Sequence, residues 1–189
     1  KVGLSSPAAE ALAGGQPVGS ALRPQVLPGA LGAVIGGISI LVAAAVFKPF
    51  LTPETIQRVA QIGGLMPFPT RLLYGGLTEE VLLRWGFMTL IVWAVWRVFQ
   101  KKLMKPSKGS FIVAILISSI VFAIGHLPIA IGVLHDTSVA LIMFVIVANS
   151  AFGLVAGFLY WRHGLESAMI AHVLGHVVLA IASYLGAYF

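Results

Sequence analysis

Apolar residues fall into five long runs, at residues 29–47, 71–99, 111–131, 139–160 and 165–185, and most polar positions sit in the gaps between them. Runs of around 20 residues suit a hydrocarbon core roughly 30 Å thick, so each predicts a membrane-crossing helix. The runs lack the period-two alternation of a lipid-facing barrel strand. After the first run ends at Lys48-Pro49, Thr52-Pro53 has the form of an N-cap followed by proline at the first helical position. That predicts a short helix over 53–62 at the membrane surface, broken by Gly63-Gly64 and two prolines. Residues 1–28 are rich in Ala, Gly, Pro and Ser and predict a flexible lead-in. The expected organisation is therefore a flexible segment (1–28), a first transmembrane helix with an interfacial helix (29–69), and a helical core (70–189). The fold class is all-α: a polytopic helical membrane protein with about five transmembrane helices around a buried polar Glu/His cluster.

Composition agrees. The 189 residues are 59% hydrophobic and 10% charged, against about 45–50% and about 25% in soluble domains. The net charge of +6 sits largely in loops, which reads as topology and not as a nucleic-acid footprint. Lys101, Lys102, Lys105 and Lys108 form the densest basic cluster, placing that loop in the cytoplasm. With no cysteine, disulfides, iron–sulfur clusters and thiol nucleophiles are excluded. The chain begins at Lys1 and not Met, as expected of a fragment or processed form.

Against that background the polar exceptions matter. Glu79-Glu80-x-x-x-Arg84 lies inside the second run, and ionisable groups at membrane depth usually pair, face the protein interior and serve a function. Glu79 lies eight residues past Arg71, roughly 12 Å from the non-cytoplasmic side, and His126 lies at a similar depth from the same side. His172 enters from the opposite face and reaches roughly 13 Å in. In a core roughly 30 Å thick these depths nearly coincide, which predicts one buried cluster.

Helical spacing suggests roles. Glu80 and Arg84 are four apart and suited to an internal ion pair. Glu79 is turned about 100° from Glu80, leaving its carboxylate free. Phe122 and His126 share a face, as do His172 and His176, the latter at the spacing of a zinc-binding H-x-x-x-H pair. His135 and His163 sit at span ends and read as structural, while Trp93, Trp96, Tyr160 and Trp161 read as an interfacial aromatic belt. Gly32/Gly36 and Gly153/Gly157 have the small-xxx-small spacing of close helix contacts. Such a cluster suits a hydrolase, a non-catalytic scaffold or a proton relay.

At these residues the sequence resembles the CPBP family, the type II CAAX prenyl proteases and their bacterial relatives linked to bacteriocin processing and immunity. The family pattern E-E-x-x-x-R, F-x-x-x-H, H-x-x-x-N is matched by Glu79-Glu80-Val-Leu-Leu-Arg84, Phe122-Ala-Ile-Gly-His126 and His172-Val-Leu-Gly-His176, in order. The stretch from Asn149 to Phe158, with Gly164-Leu165, is similar to the family's connecting segment, so the resemblance covers about residues 70–180.

The resemblance implies an intramembrane endopeptidase of metallo or glutamate type. Glu79 and His126 would activate a water, His172 and His176 would stabilise the oxyanion, and Glu80, Arg84 and Phe122 would support them. His176 departs from the more usual Asn and completes a Glu79/His126/His172/His176 set able to hold Zn2+, so the cofactor expectation stays open between none and zinc. Implied partners are membrane lipids and a peptide or protein substrate, prenylated in the CAAX-type members, with no nucleic acid. The implied location is a multi-pass position in a bacterial cytoplasmic (inner) membrane. The alternative is a non-catalytic scaffold or bacteriocin-immunity protein that retains the polar cluster.

Overall fold

Proline and serine start helices in the N-terminal stretch. In the structure, a computed structural model that describes residues 2–65 and 67–188, helix α1 spans Pro7–Ala13. The Ser6 hydroxyl accepts from the Ala9 amide at 3.4 Å, and Pro7 occupies the first turn, where a missing N–H costs nothing. Helix α2 (Val18–Phe47) then begins well before residue 29 and carries Pro24 and Pro28 inside it. Membrane helices tolerate such prolines because neighbouring groups re-satisfy the freed carbonyls. Residues 7–28 are therefore largely helical and docked, a departure from the expected lead-in. Leu165 N donates to the Ser5 carbonyl at 3.1 Å, and Ser6 Oγ and Ala8 N donate to the buried Glu166 carboxylate at 2.5 and 2.9 Å.

Helix α3 (Pro53–Leu65) starts where Thr52 predicts, its hydroxyl accepting from Thr55 N at 3.1 Å. Its backbone runs on through Gly63 and Gly64, past the expected break, because glycine weakens a helix without ending it. Thr55 donates to Asp136 at 2.6 Å and Arg58 to the Leu134 carbonyl at 3.0 Å, fastening α3 under the turn near His135. The Thr55 hydroxyl and the Ser138 amide hold the Asp136 carboxyl below its ordinary pKa.

Four long helices complete the chain: α4 (Phe68–Phe99), α5 (Lys108–Leu134), α6 (Val139–Arg162) and α7 (Leu165–Tyr184). Helix α5 continues through Pro128 and ends at His135, whose φ of 50° closes it in the left-handed region. With α2, these make five helices among the described residues long and apolar enough to cross a membrane. The protein is a polytopic helical membrane protein, and residues such as Leu31, Ile38 and Ile120 turn outward as a lipid-facing surface would.

The expected glycine stripes are contact lines. A Cβ on Gly36 would meet the Phe152 ring at 2.6 Å, one on Gly32 would run into Leu159, and one on Gly153 would sit 2.9 Å from the Ser119 backbone. Helix α6 is thus clamped between α2 and α5 by absent side chains. Tyr160 is a correction to the aromatic belt: it is 1% exposed and its hydroxyl shares a 2.8 Å hydrogen bond with Thr89. Trp161 stacks on Phe111 at 5.2 Å, and Trp93 is exposed.

Candidate active site

Helix α4 meets α7 at two glycines. A Cβ on Gly76 would collide with the Val173 side chain, and one on Gly75 would lie 2.6 Å from His176 Nε2 and 3.3 Å from His172 Nε2. The imidazoles of α7 therefore rest on bare backbone. From Tyr74 to Glu79, and again from Val81 to Met88, α4 is wound as a π-helix, a widening often found at functional sites. Along this stretch both carboxylates of the Glu79-Glu80 pair approach one imidazole, that of His172.

Glu80 and Arg84 are fully buried, with Arg84 Nε 3.3 Å from Glu80 Oε2. The same carboxylate accepts from His172 Nδ1 at 2.8 Å, so the proton on that nitrogen is committed and the ring is fixed. On its other side, His172 Nε2 lies 3.9 Å from Glu79 Oε2, within reach of a bridging water. Arg84 sits 5.0 Å over the face of Phe122. Phe122 in turn braces two histidines, with ring centroids 4.6 Å from His126 and 5.8 Å from His172. His126 Nδ1 donates to the Phe122 carbonyl at 2.8 Å, which leaves Nε2 as the unoccupied nitrogen.

The candidate residues Glu79, Glu80, Arg84, Phe122, His126, His172 and His176 fall in this neighbourhood. His126, His172 and His176 line a cavity of about 500 Å³ together with Phe122, Arg71 and Asn149. Glu79 is not part of the wall and adjoins it across His172 Nε2. Its side chain is 18% exposed where that of Glu80 is 0%, in keeping with a carboxylate left free. The cavity also touches Val59 of α3, Ser183 near the end of α7, and Tyr188, whose phenol is pushed up to about 12 by burial. These residues lie at the end of the bundle opposite the Lys101–Lys108 loop.

Three features escaped the sequence. The second partner of Glu80 is His172, invisible because it comes from another helix. Arg71 marked only the edge of a span, and Asn149 only a connecting segment, yet both face the cavity. A basic residue one turn before a glycine pair was the available signal for Arg71.

The zinc expectation meets a geometric obstacle. Among the described residues, no group of three His, Cys, Asp or Glu side chains is arranged to hold a metal ion. The rings of His172 and His176 stack at 5.1 Å and 23°, an arrangement in which the two imidazoles lie face to face. As arranged, the Glu79/His126/His172/His176 set does not fit zinc.

Apolar helices enclosing a carboxylate–imidazole–guanidinium chain define a class: polytopic membrane proteins with an ionisable site at bilayer depth. Residues 41–178, more than half of the sequence, match the family model of type II CAAX prenyl endopeptidases, Rce1-like, and the chain belongs to that family. Membership makes it an intramembrane protease of the CAAX type in general terms, acting in a lipid environment on a peptide or protein. Neither a curated protein nor a solved structure matches it.

Proposed function

We propose that the chain hydrolyses a peptide bond within the membrane with Glu79 as general base. The observation that carries this reading is the 3.9 Å gap between Glu79 Oε2 and an imidazole nitrogen whose ring Glu80 has already oriented. A water in that gap gives its proton to Glu79 as its oxygen attacks the scissile carbonyl carbon. Glu79 then returns the proton to the departing amine nitrogen as the C–N bond breaks. His126 Nε2 accepts from the same water and aims it, because its Nδ1 proton is held by the Phe122 carbonyl. His172 and His176 face the developing oxyanion, where a donor typically contributes about 3 kcal/mol. With Nδ1 bonded to Glu80, His172 has an Nε2 proton to donate only as the imidazolium.

The substrate class that family membership favours is a prenylated C-terminal CAAX peptide. The test is cleavage of a farnesylated CAAX peptide by the purified protein in lipid nanodiscs. Glu79→Gln and His126→Ala are expected to abolish turnover while keeping the thermal transition of the parent. Undiminished cleavage by both would remove the mechanism. Metal analysis alongside, with His176→Asn, decides the cofactor: stoichiometric zinc lost with either histidine would replace this scheme with a metalloenzyme one. Biological activity retained by Glu79→Gln would favour the scaffold or immunity reading.

A further inference from the structure

Arg71 is a cation in the cavity wall with no anion to match it among the described residues. It lines the chamber beside the three histidines. Its Nε is buried and has no hydrogen-bond partner. Among the described residues no carboxylate pairs with it: Glu54 is bound by Arg58 and Glu80 by Arg84, and Glu79 approaches His172. The Phe68 ring lies 5.1 Å from the guanidinium and holds it in place without neutralising it. An unpaired guanidinium nitrogen kept from water is costly, and its fork geometry matches a carboxylate in two parallel hydrogen bonds.

Its position along α4 sets what kind of carboxylate fits. Arg71 is four residues before Gly75, the bare turn on which His176 and His172 rest, and eight before Glu79. Eight residues of helix span roughly 12 Å, somewhat less through the wider π-turns. An extended peptide advances about 3.3–3.6 Å per residue, so about three residues bridge that distance. We propose that Arg71 is a carboxylate-binding residue that recognises the free C-terminus of a peptide about three residues beyond the bond Glu79 attacks. The reach equals the three residues that follow the cysteine in a CAAX sequence. The proposal deepens the peptidase reading and depends on it for the nature of the ligand. It assigns specificity to a residue outside the motif residues Glu79, His126, His172 and His176.

Binding tests it apart from catalysis. The tripeptide Val-Ile-Met with a free carboxylate, and the same tripeptide as its C-terminal amide, are titrated calorimetrically into the full chain in nanodiscs. The acid is expected to bind at least tenfold tighter than the amide. Arg71→Ala should bring the two to parity, and Arg71→Lys should restore part of the preference by keeping the charge. In cleavage assays the acid-to-amide ratio of kcat/KM should collapse toward one in Arg71→Ala. Equal binding of acid and amide by the parent protein would overturn the proposal, as would an equal loss for both in Arg71→Ala. A change in Arg71→Ala confined to its response to phosphatidylglycerol in the nanodisc would assign the guanidinium to a lipid headgroup and also overturn it. Preferential acid binding by a parent protein that cleaves neither peptide would instead refute the peptidase reading and leave the carboxylate site standing.

Discussion

Removing either member of the buried Glu80–Arg84 pair should destabilise the bundle, and by unequal amounts. Breaking a buried pair from one side typically costs about 3–5 kcal/mol, because the partner remains as an uncompensated charge. Arg84→Met leaves Glu80 with the His172 Nδ1 proton at 2.8 Å, so its cost should fall near ~3 kcal/mol. Glu80→Leu leaves Arg84 with the Gly153 carbonyl at 3.5 Å and the Phe122 ring face at 5.0 Å. Neither compensates a full charge, so the cost should approach ~5 kcal/mol. For a chain of this length each kcal/mol shifts Tm by about 2–4 °C, which predicts losses of roughly 6–12 °C and 10–20 °C. The double variant, with both sites apolar, should lie close to the parent in stability and yet be inactive, since His172 has lost the carboxylate that orients it. Thermal unfolding followed by tryptophan fluorescence in detergent, with peptide cleavage on the same samples, gives both readouts. Additive losses in the double variant would refute the pairing argument. Full activity in a folded double variant would refute the orienting role of Glu80.

Other outcomes follow from the packing. Gly76→Ala should cost about 1–3 kcal/mol by overpacking against Val173, and Val173→Ala should recover it, read as a Tm shift and its reversal. Gly75→Ala should leave the fold largely intact but displace the His176 ring, 2.6 Å from the new methyl, and lower kcat in the cleavage assay. The Asp136 carboxyl has a lowered folded-state pKa, so its contribution is present above its unfolded value near ~4 and is lost as pH falls through the folded one. Thr55→Val should therefore lower Tm at neutral pH and flatten the acid limb of the Tm-against-pH curve; an unchanged limb would discount the Thr55–Asp136 bond.

Much of the fold was legible because a bilayer imposes a length on apolar runs. The starts and stops of α6 and α7 agree with the pattern to within a few residues. The start of α2 was not legible, since Pro24 and Pro28 are breakers in water and tolerated when neighbouring helices cover them. At the site, fixed spacing revealed Glu80–Arg84 and Phe122–His126, contacts local to one helix. The Glu80–His172 bond and the convergence on the cavity involve separate helices, and a coincidence of depths could suggest them without setting which atoms meet. The π-winding of α4 was also hidden, because the spacing arguments assumed an ordinary helix throughout.

The placement of the chamber gives the molecule a sidedness. Its wall reaches Val59, Ser183 and Tyr188, away from the lysine-rich loop. On the topology that its charge predicts, with that loop in the cytoplasm, water and a released fragment would exchange with the opposite compartment. On that topology a peptide already exported would reach the chamber from its own aqueous phase. One anchored by a lipid in the leaflet beside the lysine-rich loop would have to slip sideways between helices, and the route of entry, as much as the bond cut, would sort the clients.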